Sequence, residues 1–412
     1  IEGCLLSQTT GGNATANMWV EYTDDTLNGI AFYTGEAYEN QTLQFTTYCT
    51  SYADAPTCFI AWPGENERRC RSQAEAVLAS LTFKFNPLYS TTPAQWLCRD
   101  EQNNPGLCQI GYAQQFHALS LPTSDIAWAA GTDGQIRTRQ GTQWESVASP
   151  VQTTLYDLHF LNPTEGWAVG AAGSLLRWDG RAWELERVAP PAEAESEPAA
   201  QAYFDLDFLS AEDGWAVGTQ AYSGGEALPL VATRDARGWH ELSGLPECQV
   251  CSLNAVLAIN SQDVWAAGGG GQGALLWHWN GSTWISHPTP GATWLYTLAQ
   301  GLDGELWAAG IEQAVTPQGR QVARGALLRW DGAQWLPLSL PPMSGGIFAL
   351  AVLEDGNLVA AGDVSLLRAG GFWSYIPTEI ADFGWINALE FDPQGGLYAL
   401  TNSGFLFQLA GE

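Results

Sequence analysis

The chain has 412 residues, 44 acidic against 16 basic, with a formal net charge of −28, and only one of the basic residues, Lys84, is a lysine. That balance excludes nucleic acid as a partner, because phosphate recognition needs a basic patch. At 46% hydrophobic and 15% charged, with no apolar run near the roughly 20 residues that span a bilayer, the chain excludes wholesale disorder and a transmembrane helix.

The first stretch, 1–88, carries no repeat. Met18-Trp-Val-Glu-Tyr22, Gly29-Ile-Ala-Phe-Tyr33, Leu43-Gln-Phe-Thr-Thr-Tyr48 and Cys58-Phe-Ile-Ala-Trp62 read as strands. Ser72-Gln-Ala-Glu75 forms a capping box ahead of Ala76-Val-Leu-Ala-Ser80, which predicts one short helix there. The expectation is a small α+β domain stapled by Cys4, Cys49, Cys58 and Cys70, whose three pairings stay open. Cys98, Cys108, Cys248 and Cys251 bring the cysteines to eight, all expected in disulfides. With one lysine and no leader ahead of Ile1, the expected location is secreted or exposed on the cell envelope, a leader having been removed.

Residues 89–115 read as a linker plus one strand. Ala94-Gln-Trp-Leu97 matches Ala333-Gln-Trp-Leu336 far downstream, so residues 94–99 are expected to complete the last unit of the carboxy-terminal repeat.

From 116 to 412 one pattern recurs. Ile126-Ala-Trp-Ala-Ala-Gly131 returns as Glu165-Gly-Trp-Ala-Val-Gly170, Asp213-Gly-Trp-Ala-Val-Gly218, Asp263-Val-Trp-Ala-Ala-Gly268 and Glu305-Leu-Trp-Ala-Ala-Gly310. Weaker copies are Leu358-Val-Ala-Ala-Gly362 and Leu397-Tyr-Ala-Leu-Thr401. Anchors at Trp128, Trp167, Trp215, Trp265, Trp307, Val359 and Tyr398 stand 39, 48, 50, 42, 52 and 39 residues apart. That period, with four short alternating strands per unit, predicts a seven-bladed β-propeller. Asp179-Gly180, Asn280-Gly281 and Asp331-Gly332 mark hairpins, both central residues being able to take positive φ. The Trp rings are expected to fill the wedges between blades, and the Ala and Gly after them to admit the neighbouring sheet.

The run Gly-Trp-Ala-Val-Gly, then Leu-Leu-Arg-Trp-Asp-Gly, then Trp resembles the repeat of photosystem II assembly-factor-like propellers over about 94–412. It is also similar to the wider sialidase-related group with Asp-box turns, although Asp179 to Trp183 is one residue shorter than that motif. The resemblance implies the propeller fold and leaves the role open. Sialidase chemistry in that group uses arginines on inner strands, and none of the predicted first strands here contains Arg.

The candidate sites are few. First strands share a polar position at His117, Asp157, Asp205, Asn254, Thr297 and Asn387, with Ala349 breaking the series. Asp157, Asp205 and Asp207 are the candidate metal ligands, with Ca²⁺ the expected ion because hard cations need several oxygens; otherwise no cofactor is expected. The competing assignment for the first-strand polar groups is hydrogen bonding to the neighbouring strand's backbone. Long segments Pro190–Gln201, Thr219–Leu228 and Ile311–Gly325 lie on one face and suggest a recognition surface. No catalytic constellation is present, so no catalytic residue is assigned and the chain reads as a non-enzyme. The expected function is a non-catalytic interaction or scaffold module, an assembly factor or surface-structure subunit, with protein partners or self-assembly at the cell surface. The alternative is a carbohydrate-binding lectin or a glycoside hydrolase on the long-loop face, with a glycan as partner.

Overall fold

The computed structural model describes residues 5–9, 19–27, 30–39, 42–52, 55–62, 95–97, 110 and 115–410 apart from 142, 190–197, 224, 249, 316–320, 342, 344 and 377–383. The helix expected at 72–80 lies outside the described residues, as do Cys4, Cys70, Cys98 and Cys108. Among the described residues the only helical element is a 3-10 turn, Thr132–Gly134, and no helix is long and apolar enough to cross a membrane.

The amino-terminal strands are Leu5–Thr9, Trp19–Leu27, Ile30–Glu39, Thr42–Tyr52 and Ala55–Trp62, and they form one antiparallel sheet. Leu5–Thr9, a strand not expected from the sequence, pairs with Ala55–Trp62 at its edge. Cys49 and Cys58 stand opposite one another in register.

The rest is a β-propeller: four-stranded antiparallel units whose strands lie beside one another in chain order, one of them extended by the short strand Val188–Ala189, which runs parallel to Gly238–Glu241. Their first strands are Phe116–Thr123, Leu155–Asn162, Ala200–Ser210, Cys251–Asn260, Trp294–Gln300, Ile347–Val352 and Ile386–Phe391. Each of these packs beside the next, and the last packs beside the first, so they line a closed central channel. In the final unit the outer strand is Gln95–Leu97, paired with Leu406–Ala410 through Gln408↔Leu97, Leu409↔Trp96 and Ala410↔Gln95. The ring is sealed a second time inside, where Leu400 and Leu406 pack against Phe116, Leu119 and Ala127.

The recurring Trp explains the radial packing. Trp128 stacks on Phe160 of the next unit at 4.8 Å and meets Trp178 at 5.0 Å and Trp183 at 5.8 Å. Trp167 stacks on Phe208 at 4.1 Å, Trp215 reaches Trp284, and Trp265 reaches Trp335, each one unit onward. Apart from the half-buried Trp178, these rings are almost wholly buried. A large aromatic removes roughly 150–250 Å² from water, so the wedges between units hold much of the hydrophobic stabilisation.

Two local expectations need correction. The Gly ending each second strand admits its own unit's first strand, not a neighbouring sheet. A Cβ on Gly218 would stand 1.9 Å from the Ala202 carbonyl oxygen, and one on Gly310 would stand 1.9 Å from that of Trp294. The Asp-Gly turns place only Gly at positive φ (Gly180 91°, Gly332 98°). Asp179 Oδ1 instead accepts the N–H groups of Arg181 (2.8 Å) and Ala182 (2.9 Å), and Asp331 Oδ1 those of Ala333 and Gln334. The short polar side chain thus supplies the turn's missing acceptor. These bonds hold the Asp179 and Asp331 carboxyls below the usual carboxylate range.

The segments read as long loops on one face are partly strand. Asp213–Ala221 and Ala227–Asp235 stay paired to Ala221↔Ala227, and Leu306–Val315 and Gln321–Trp330 stay paired to Val315↔Gln321. Both are hairpins projecting beyond the body of the ring. Cys248 and Cys251 are joined by a disulfide.

Candidate functional site

Each first strand carries a bulge near its start, four of them a second near the end, and the first bulge determines what faces the channel. The register slips at His117, Tyr156, Phe204, Asn254, Tyr296, Phe348 and Asn387. Asp157, Asp205, Thr297 and Ala349 therefore lie one residue deeper than His117, Asn254 and Asn387. The single polar series read from the sequence divides into two layers.

The outer layer is an aromatic collar with polar breaks. His117 and Tyr156 rings stand 5.8 Å apart, Tyr156 and Phe204 5.1 Å, and Tyr296 and Phe348 5.3 Å. Between these arcs, Asn254 Nδ2 donates to the Leu295 carbonyl (3.0 Å) and Asn387 Nδ2 to that of Phe116 (2.7 Å). All of these side chains are half-buried. The collar sits where first strands begin, which is the end from which the two long hairpins project: Ala200–Ala202 pair with Thr219–Ala221 at the root of one of them.

Below the collar lie the acids. Asp157 Oδ2 accepts the N–H of Leu206 at 3.2 Å, and Asp205 Oδ2 that of Val256 at 2.6 Å. The two carboxyl groups also hydrogen-bond one another. Deeper, Asp207 Oδ2 accepts from Ala258 (2.8 Å) and its Oδ1 from Phe208 (2.8 Å), while Glu390 accepts from Leu121. His159 Nδ1 stands 3.8 Å from Asp207 Oδ1. Each acid thus links one first strand to the backbone of another, which is the hydrogen-bonding role weighed against metal binding.

Enclosure by protein on all sides decides the protonation states, although channel solvent reaches part of each side chain. Burial pushes the Asp157 carboxyl up to about 6, its hydrogen bonds opposing and the Glu390 charge adding to the rise. Burial, then the neighbouring Asp157, holds Asp205 well above the usual range. Burial and the Asp207 charge push Glu390 up to about 8. Burial lowers His117 and His159, with Asp207 partly offsetting the latter. Two like carboxyls in contact cannot both ionise cheaply, so Asp157 and Asp205 share a proton near neutrality.

Of the three residues expected to hold a cation, Asp157 and Asp205 meet, and Asp207 turns both oxygens to backbone N–H groups. Among the described residues, no three His, Cys, Asp or Glu side chains form a group that could hold a metal ion. His278 stacks on Trp265 at 4.3 Å with Nε2 2.8 Å from Asp263 Oδ1, a packed position. Sequence reasoning missed the collar. Its signal was an aromatic directly ahead of Asp157, Asp205, Thr297 and Ala349, at Tyr156, Phe204, Tyr296 and Phe348.

No protein-family model and no curated protein matches the chain. Solved structures do. A streptogramin B lyase is 12% identical with a TM-score of 0.57, over 74% of this chain and 96% of its own. The WD40 β-propeller domain of Doa1 is 12% identical with a TM-score of 0.52, over 79% and 98%. YCF48 bound to D1 peptide is 18% identical with a TM-score of 0.51, over 80% and 99%. At these identities the likeness shows the fold, a β-propeller, which a lyase and a protein solved with a bound peptide share.

Proposed function

We propose that this chain is a seven-bladed propeller acting as a non-catalytic protein-interaction or scaffold module, exported to the cell surface or envelope. The partner engages the collar face. One observation carries the reading: half-buried rings of His117, Tyr156, Phe204, Tyr296 and Phe348 surround the channel mouth at the end from which the two long hairpins project. Rigid aromatic groups on a fixed scaffold supply contact area at low entropic cost. The Cys248–Cys251 disulfide and the single lysine support the exported compartment.

The acids argue against glycoside hydrolysis. Asp157 and Asp205 are hydrogen-bonded together, whereas retaining glycosidases hold their two carboxyl groups about 5 Å apart. A photo-crosslinking residue placed at position 156 or 348 should trap one discrete protein in the native envelope, and Phe204→Ala should abolish the adduct. Turnover of a glycoside by the purified chain, lost in Asp205→Asn, would overturn the reading.

A further inference from the structure

The structure holds a second recess, away from the channel, between the 155–185 and 200–241 units. Its volume is about 480 Å³, and it opens on the collar face beside the Ala172-Gly173 turn. Tyr203 lines it and is 1% exposed, yet its hydroxyl has no hydrogen-bond partner. Leaving a buried hydroxyl unpaired is costly, so a donor or acceptor that reaches it gains a bond without competition.

The carboxylates beside it are not equivalent. Glu186 is committed: Oε2 accepts the indole N–H groups of Trp167 (3.2 Å) and Trp239 (2.9 Å), and Oε1 lies 3.6 Å from Arg234 Nη2. Glu241 takes one bond, on Oε1 from Gln201 Nε2 at 2.9 Å, and no cation pairs with it among the described residues. Burial raises the Glu241 carboxyl, and its charge reaches the Tyr203 hydroxyl. The walls include the aliphatic Val151, Leu185 and Val188. Arg187 also lines the recess and is exposed, so solvent screens its charge.

We propose that this recess binds an alkylammonium group, the ammonium bridging the Glu241 carboxylate and the Tyr203 hydroxyl while the methylenes lie on the aliphatic wall. A carboxylate supplies the counter-charge, a phenol oxygen accepts the second N–H, and the walls match a short hydrocarbon stem. The group can come from a lysine side chain of a docked protein or from a free diamine. The first source rests on the protein-interaction reading, and the second does not.

Titration calorimetry on the full chain tests this with three probes: Nα-acetyl-lysine amide, 1,4-diaminobutane and, as the uncharged isostere, Nα-acetyl-norleucine amide. At least one amine should bind about tenfold or more tightly than the norleucine probe. Glu241→Gln should abolish that preference, and Tyr203→Phe, which keeps the ring, should reduce it severalfold. Thermal unfolding of both variants confirms that the fold is intact. Binding of the diamine alone supports the recess while removing the docked lysine as its source. Equal binding of the norleucine probe, no binding of either amine, or an unchanged preference in Glu241→Gln would overturn the proposal. Crosslinking from the collar would be unaffected by any of these results, so the two readings fail separately.

Discussion

Replacing Asp205 with Asn tests the shared proton in the channel directly. In the folded chain, Asp205 must accept the Val256 N–H and also face the Asp157 carboxyl. A neutral carboxylic acid does both, and so does an amide: Oδ1 accepts from Val256 while the NH₂ donates to Asp157. Asn is therefore nearly isosteric with the form that the folded state prefers, and it has no proton to lose. For the wild type, raised folded pKa values mean that the native chain binds more protons than the unfolded one. The stabilisation is present below the ordinary Asp value and is lost as pH rises through about 6, where Asp157 titrates. A rise of about two pH units corresponds to roughly 3 kcal/mol, and channel water reduces it to about 1–3 kcal/mol. Asp205 is raised by the same burial, and Asn removes that rise, so Asp205→Asn should match the wild type near pH 4 and exceed it by about 1–3 kcal/mol at pH 8.

The assay is urea unfolding followed by tryptophan fluorescence at several pH values, with Asp205→Ala alongside. The Ala variant leaves the Val256 N–H without its acceptor and should lose about 1–3 kcal/mol even at low pH. If Asn proves as damaging as Ala at pH 8, or if it leaves the pH dependence of the wild type unchanged, the two carboxyls do not share a proton and the account of the channel fails.

Packing sets two further outcomes. Gly218→Ala should destabilise strongly, by about 3 kcal/mol or more, because a Cβ would meet backbone oxygen at 1.9 Å; Gly141→Ala, at φ 65° in open space, should cost only about 1 kcal/mol, both read from urea midpoints. Deleting residues 1–99 removes the outer neighbour of Leu406–Ala410 and exposes a strand edge, so light scattering should show concentration-dependent association that the full chain lacks.

The repeat was legible because its signals are local. Trp returning at a fixed register, four alternating runs and Asp-Gly or Asn-Gly turns each constrain a few adjacent residues, and together they fix a propeller. The likeness of Ala94-Gln-Trp-Leu97 to Ala333-Gln-Trp-Leu336 points to the edge where Gln95–Leu97 is found. The bulge was not legible. An extra residue in a first strand has no compositional mark, since His, Tyr, Phe and Asn all occupy it, and a one-residue slip moves every side chain to the other face. Aligning His117 with Asp157 thus merged two layers and concealed the collar. The Tyr203 recess was beyond reach for a different reason. Residues from five separated segments (151–153, 172–174, 185–188, 201–203 and 241) form it, and no spacing in the chain joins them.

The channel's asymmetry arises from the residues that follow each bulge. First strands of adjacent units do not form a continuous sheet, so N–H groups that face the neighbour need another acceptor. Asp157, Asp205, Asp207 and Glu390 provide it for Leu206, Val256, Ala258 and Leu121. At the positions equivalent to Asp157 and Asp207, the strands Trp294–Gln300 and Ile347–Val352 carry Thr297 and Ala299, and Ala349 and Ala351. Acid therefore collects on one side of the channel, while the other side keeps small side chains beneath Tyr296 and Phe348. A carboxylate already bonded to backbone is a poor ligand and a poor base, because binding or proton transfer would first have to break that bond. The aromatic rings above have no such commitment. That difference supports the proposed reading, in which the collar recognises a partner and the acids hold the ring that presents it.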